Sequence, residues 1–272
     1  VGTSGRYEFR NKGIDIFLDA LKQLAETDAL DREVLVYITV PSATTGPRKD
    51  LQAHLADENS PIDPKQNRFC THYLEHPEWD QILNSIAGSV LANPSSKVKV
   101  VFVPTYLNGR DGIFDKSYYE LLVGMDMTLF PSYYEPWGYT PLESTAFSVP
   151  TLTTTLAGFG LWAGSQGEHE GVTLVARNDD NYAEAAREIA KALLHFTKYT
   201  PQEVEIARNA AAELSRTALW SELYAAYEKV YSEAIERSVT RTNRAVLNDG
   251  GGATEQINFV RQQLITEKPH WN

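Results

Sequence analysis

Two glutamates define the chemistry this chain is equipped for. Glu135 and Glu143 stand in the spacing Glu-x7-Glu, within the stretch Phe130-Pro-Ser-Tyr-Tyr-Glu-Pro-Trp-Gly-Tyr-Thr-Pro-Leu-Glu-Ser144. The stretch reads as strand, tight loop and helix. Met127 to Phe130 is a short apolar run suited to a buried strand. Pro136 and Gly138 break it. The pattern then predicts a helix start, with Thr140 as N-cap, Pro141 at N1 and Glu143 at N3 closing a capping box. A helix N-terminus offers unpaired N–H groups and partial positive charge, so its mouth suits a phosphate. Glu135 lies on the loop at that mouth and Glu143 about one turn inside. A sugar nucleotide requires this combination: donors for its pyrophosphate and acceptors for its sugar hydroxyls. Taken alone, the same residues also fit a plain helix cap at Glu143 and a solvated carboxylate at Glu135.

Two cations stand at a second loop. Val1 to Ser4 reads as the end of a strand and Gly5 as a turn. Arg6 and Lys12 then flank the start of a helix, with Asn11 as its candidate cap. Ile14, Phe17, Leu18, Leu21 and Leu24 give that helix an apolar stripe. An anion would sit where Arg6 and Lys12 meet, although solvated surface cations are the commoner use of such residues.

Other elements must carry these loops. Val34 to Val40 is a nearly continuous β-branched run, which predicts a strand of a parallel sheet covered on both faces. Lys97–Val103, Pro150–Thr154 and Gly171–Ala176 read as further strands. Pro41 to Pro47 reads as a loop, Lys49–Leu55 as a short helix, and 56–68 as a polar connector. Trp79–Leu91 is helical by pattern. Ser117 to Gly124 is a short helix whose glycine suits a C-cap. Tyr182, Ala186, Ile189 and Leu193 stripe a later helix. An Ala-rich helix runs from Pro201 to Arg216, and an aromatic stripe from Trp220 to Ala234 marks a third. Residues 1–238 are expected to form one domain and 239–272 a flexible tail or linker toward a missing module. Within that tail, Asn248-Asp-Gly-Gly-Gly-Ala is the linker and Thr254–Ile265 a candidate helix.

Composition narrows the field. A chain of 272 residues can bury one large α/β core or two small ones. No apolar run approaches a membrane span and no signal peptide opens the chain, so no membrane partner is expected. The net charge of −11 argues against a nucleic-acid partner and requires positive charge to be gathered locally for any phosphorylated ligand. Cys70 is the single cysteine, which excludes an intrachain disulfide and fits a reducing cytoplasm. The histidines are scattered without metal-ligand spacing, so no metal is expected. The chain opens at Val1 within a strand-like run and reads as a piece of a longer protein.

Pro131-Ser-Tyr-Tyr-Glu-Pro-Trp-Gly-Tyr-Thr-Pro141 closely resembles the donor-site loop of retaining glycosyltransferases of the two-Rossmann-domain (GT-B) fold. More narrowly, it resembles the eukaryotic-type glycogen synthases. Gly5-Arg-Tyr-Glu-Phe9 and Asn11-Lys-Gly13 resemble the motif that opens that family's C-terminal domain. Phe69-Cys-Thr-His-Tyr-Leu74, the strand and loop from 97, and Leu156-Ala-Gly-Phe-Gly160 are similar to family segments. The resemblance covers roughly residues 1–238. It implies an α/β fold: a Rossmann-like parallel sheet with helices on both faces, the C-terminal half of a GT-B enzyme whose N-terminal Rossmann domain is missing here. It implies retaining transfer of glucose from UDP-glucose to the non-reducing end of an α-1,4-glucan, with no cofactor beyond the nucleotide sugar.

The resemblance also implies roles residue by residue. Arg6 and Lys12 hold the donor pyrophosphate. The N–H groups of Gly138, Tyr139 and Thr140 add to that. Glu143 binds the ribose hydroxyls, and Glu135 holds glucose hydroxyls. Tyr118 aligns with the tyrosine that stacks on uracil, which favours UDP-glucose over the ADP-glucose of the bacterial synthases. His72, in the Cys-Thr-His stretch, is a weaker candidate for the ligand site. The family's arginine cluster for glucose 6-phosphate is replaced by the alanine-rich stretch Val204 to Arg216, so activation by sugar phosphate is not expected. The alternatives are another retaining GT-B hexosyltransferase and a non-catalytic nucleotide-binding module.

Overall fold

The computed structural model describes residues 1–248 apart from Glu168. In chain order the elements are β1 (Gly2–Ser4), α1 (Ile14–Glu26), β2 (Val34–Thr39), β3 (Thr44–Pro47), α2 (Lys49–Ala56), β4 (His72–Leu74) and α3 (Gln81–Ile86). Then come β5 (Val98–Phe102), α4 (Tyr118–Leu122), β6 (Thr128–Phe130), α5 (Tyr139–Ala146), β7 (Thr151–Thr154), α6 (Gly158–Ser165), β8 (Val172–Val175), α7 (Tyr182–Phe196), α8 (Pro201–Arg216) and α9 (Trp220–Asn248).

The main sheet has the order β5-β2-β1-β6-β7-β8 and every pairing in it is parallel. Counting only these strands, the order is 3-2-1-4-5-6, that of a Rossmann-type sheet. The parallel ladder places Val34, Val36 and Ile38 of β2 beside Val98, Val100 and Phe102 of β5. Their β-branched and aromatic side chains pack as a buried layer. Helix α1 lies over this layer, and α3 and α7 pack against it. All five residues of its predicted stripe are buried, and so are Ile16 and Ala20, because α1 is covered by α7 as well as by the sheet. The opposite face carries α4, α5, α6 and α8, with smaller apolar clusters around Leu122, Met125 and Val149 and around Phe159, Ala163 and Leu214.

Several sequence expectations are corrected. Asn11 does not cap α1; its amide donates to Glu8 at 2.7 Å, and left-handed Gly13 precedes the helix. The predicted loop 41–47 contains β3, which pairs with β4 in a separate antiparallel ribbon. The segment Trp79–Leu91 is α-helical only over 81–86. Asp80 caps it by accepting from the Leu83 N–H at 2.8 Å, and Trp79 stays outside in a 3-10 turn. Helix α4 ends at Leu122 with Val123 as C-cap, so Gly124 does not fill that role. The second face of β2 is only partly covered: Leu35 is exposed, and Tyr37 packs on the Leu122 cluster and meets Phe114 edge-on at 6.0 Å.

Residues Val1–Arg216 make one compact unit, and a second begins at Thr217. Helix α9 belongs to the second and runs to Asn248, through the first ten positions of the expected tail, whose 239–248 stretch is therefore helical. Along it Trp220 and Tyr227 lie 5.2 Å apart, ring to ring, and Tyr227 and Tyr231 6.2 Å. The glycine-rich linker after Asn248 and the candidate helix at Thr254–Ile265 lie outside the described residues.

Candidate functional site

Strands β1 and β6 are parallel neighbours, but the chain leaves them toward opposite edges of the sheet, to β2 and to β7. Such a switch point opens a crevice at the carboxyl ends of the strands. The loop after β1 is residues 5–13, with Arg6 and Lys12. The loop after β6 is residues 131–138, with Glu135. Topology alone therefore brings together two segments more than a hundred positions apart.

Specific contacts lock these loops. The Tyr133 N–H donates to the Asn11 carbonyl at 2.8 Å. Gly13 sits at φ 69°, and a Cβ there would stand 1.9 Å from the Pro131 carbonyl oxygen. Glycine is therefore needed twice, for conformation and for space. Arg177, at the end of β8, is buried; its Nη1 donates to the Pro131 carbonyl, and its guanidinium lies 5.2 Å from the Tyr133 ring centre. Burial holds this guanidinium below its usual pKa, and Asp15 nearby opposes the shift.

Across the crevice Lys12 Nζ donates to Glu135 Oε2 in an ion pair whose side chains are 17% and 21% exposed. The pair is thus shielded from bulk water yet open to a ligand. Glu135 has a rigid base. Its N–H donates to the Leu156 carbonyl at 3.3 Å and its carbonyl accepts from Gly158 at 3.0 Å. Trp137, Phe159 and Trp162 pack beneath, with ring centres 5.6–6.1 Å apart. Arg6 shares the loop of Lys12, but its side chain is 76% exposed and pairs with Glu8 at 3.1 Å.

Helix α5 opens two residues earlier than its local sequence predicts. Gly138, at φ 108°, is the N-cap, and no side chain caps the helix. Thr140 is therefore at N2, Pro141 at N3 and Glu143 in the second turn, and the predicted capping box does not form. The cause is the anchored backbone of 135–137, which fixes where the helix begins. The first-turn N–H groups of Tyr139 and Thr140 have no intrahelical acceptor and face the loop end of the helix. Freed from capping, the Glu143 carboxylate accepts from the Tyr119 hydroxyl at 3.2 Å.

The adjacent tyrosines of α4 diverge. This helix is held by a capping box between Ser117 and Glu120. The Tyr118 hydroxyl bonds Ser4 Oγ at 2.7 Å, at the very end of β1, and its half-buried ring packs on the Leu122 cluster. Burial pushes its phenol up to about 12. Tyr119 is exposed and lies flat on Phe147, 4.9 Å between centroids at 17°. The sequence did not single out Tyr119, Ser4 or Arg177. Each acts through a long-range contact that leaves no local pattern.

His72 is buried, with Nδ1 bonded to Thr71 Oγ1 at 2.8 Å and Nε2 to the Asp111 carbonyl at 2.9 Å. Both ring nitrogens are used within the fold. Arg208 of α8 is likewise engaged, donating to the carbonyls of Met125 at 2.7 Å and Ser148 at 3.2 Å. Among the described residues no three His, Cys, Asp or Glu side chains gather as a metal site, and no helix is long and apolar enough to cross a membrane.

The family model for glycogen synthase matches residues 60–269. This chain belongs to the glycogen synthase family. Among curated relatives, the glycogen [starch] synthase of Neurospora crassa is 28% identical over 293 aligned positions, covering 87% of this chain and 42% of its own length. The human liver glycogen [starch] synthase is 28% identical, covering 98% of this chain and 45% of its own. A sucrose-phosphate synthase structure from Thermosynechococcus elongatus superposes with a TM-score of 0.50 at 17% identity, over 87% of this chain and 45% of that one. This last likeness concerns the fold, a Rossmann-like α/β unit of the GT-B kind. The chain spans less than half the length of the curated relatives it matches.

Proposed function

We propose that this chain is the nucleotide-sugar-binding half of a retaining glucosyltransferase that extends α-1,4-glucans from UDP-glucose. The observation that carries the reading is the Lys12–Glu135 pair across the switch-point crevice, beside the uncapped start of α5. A cation and free N–H groups suit a diphosphate, and a carboxylate next to them suits the sugar hydroxyls.

In this reading Lys12 and Arg6 stabilise the leaving diphosphate, which gains negative charge as the glycosidic bond breaks. Arg6 reaches it by exchanging Glu8 for phosphate, a low-cost move for an exposed pair. The N–H groups of Gly138, Tyr139 and Thr140 add donors from the helix mouth. Glu143 accepts the ribose hydroxyls and Tyr118 offers its ring to the uracil. Glu135 holds glucose hydroxyls beside the oxocarbenium-like transition state. The acceptor hydroxyl attacks on the face the diphosphate leaves, and Glu135 is not assigned as a nucleophile. No cofactor or metal takes part. A second Rossmann domain supplies the acceptor side, and the buried free thiol of Cys70 accords with a cytoplasmic enzyme.

The test is incubation of the full-length protein with UDP-glucose and an α-1,4-glucan. The expected product is a glucan lengthened with α-1,4-linked glucose, and Glu135→Ala abolishes it. A small-molecule product would point to another hexosyltransferase, and binding without turnover to a nucleotide-binding module.

A further inference from the structure

Tyr119 has no part in the assignments above, yet it is the hydrogen-bond donor to Glu143. Its ring is fixed by the stack on Phe147, the C-cap residue of α5, at 4.9 Å and 17°. Its hydroxyl meets Glu143 Oε1 at 3.2 Å. The neighbouring Tyr118 ties the same helix to Ser4 at the end of β1. Helix α4 is therefore tied to the end of β1 through Tyr118 and to α5 through Tyr119.

We propose that Tyr119 is a positioning residue for Glu143 and sets the site's preference for a ribose that carries both hydroxyls. The inference rests on the reading that Glu143 takes the ribose. An unrestrained glutamate samples several rotamers, and its carboxylate presents about four lone-pair positions to a ligand. The Tyr119 phenol occupies one of them and holds the group in one orientation, leaving the other oxygen for ribose. The choice of donor matters. A lysine or arginine here would neutralise the carboxylate and attract the diphosphate to the wrong place. A neutral phenol orients the carboxylate and leaves its charge and remaining acceptor sites to the ligand. The Glu143 carboxylate in turn raises the Tyr119 pKa, which keeps the phenol protonated and donating through neutral pH. The flat contact with Phe147 fixes the ring in advance, so the ligand does not have to order it.

The test is calorimetric titration of the 272-residue chain with UDP, 2′-deoxy-UDP and 3′-deoxy-UDP, in the wild type, Tyr119→Phe and Glu143→Gln. Tyr119→Phe keeps the ring stack and removes only the hydroxyl, so its thermal midpoint should match the wild type. The wild type should bind UDP about 10-fold more tightly than at least one deoxy analogue, the effect of a hydrogen bond to a charged group. In Tyr119→Phe, UDP should weaken by roughly 5-fold while that analogue changes little, so the discrimination largely disappears. Full discrimination in Tyr119→Phe would overturn the inference. So would equal weakening of UDP and both analogues, which marks a purely structural role. A wild type that binds no UDP, or a Glu143→Gln variant with unchanged ribose discrimination, would instead overturn the ribose assignment on which the inference stands.

Discussion

Replacing Glu135 by glutamine changes the charge opposite Lys12 while keeping the side chain's shape. Glu135 is the anion that Lys12 holds. A diphosphate must displace it, and the two anions then stand side by side. At about 6 Å and an effective dielectric constant of about 40–80, each unit of phosphate charge repels the carboxylate by about 0.7–1.4 kcal/mol. Removing that charge should therefore tighten UDP binding by roughly 3- to 10-fold. Fold stability should fall by only about 1 kcal/mol, since the pair is partly exposed. Lys12→Ala should act in the opposite direction, losing about 1.5–3 kcal/mol of charge-assisted bonding and roughly 10- to 150-fold in UDP affinity. Calorimetry at low and high salt separates these effects, because the gain in Glu135→Gln should shrink as salt screens the repulsion. With UDP-glucose the gain should vanish, since the sugar hydroxyls exchange a charged acceptor for the weaker amide oxygen. If Glu135→Gln weakened UDP as much as Lys12→Ala, Glu135 would be holding the nucleotide, and the competition described here would be wrong.

Gly13→Ala should lose about 3 kcal/mol, from the left-handed backbone and the overlap with the Pro131 carbonyl. That corresponds to a fall of roughly 6–12 °C in the thermal midpoint; a fall under 2 °C would show that the loops yield easily. Arg177→Met keeps the apolar stem but strips the Pro131 carbonyl of its donor, and should lose about 2 kcal/mol in urea unfolding together with UDP affinity. A hydrogen bond from Arg48 holds the Asp50 carboxyl down at about 2, below its value of about 3.9 in the unfolded chain. The folded state binds this proton less readily, so its contribution is complete above about pH 4 and disappears as the pH falls toward 2. Between pH 5 and pH 3 the wild type should lose more stability than Asp50→Asn, and equal losses would contradict the assignment.

Strands such as Val34–Thr39 and Val98–Phe102 were legible because each is a mostly apolar, β-branched run between turn residues, whereas β3, Thr44–Pro47, has no such run and reads as a loop. Helix α8 begins at its proline and ends at Arg216 as its pattern indicates. Local rules failed where tertiary ties outweighed them. The Thr-Pro-Leu-Glu pattern at 140–143 is a sound capping box in isolation. It loses to the anchoring of Glu135 on Leu156 and Gly158, which fixes the chain before the helix begins. Asn11 suffers the same fate: its carbonyl is taken by Tyr133 and its side chain by Glu8. The motif residues Lys12 and Glu135 were visible in the sequence, but not their pairing across 123 positions. Tyr119 and Arg177 gave no signal at all. An exposed tyrosine beside another tyrosine, or an arginine after a strand, becomes meaningful only once the sheet order sets its neighbours.

The central claim is that the crevice between β1 and β6 is a nucleotide-sugar donor site. Its most direct test is calorimetric titration of the chain with UDP and with ADP, using Lys12→Ala as the control. The account predicts one UDP per chain, weaker binding of ADP, and a loss of UDP affinity of roughly 10-fold or more in Lys12→Ala. UDP binding that is indifferent to Lys12 would put the nucleotide elsewhere and contradict the account.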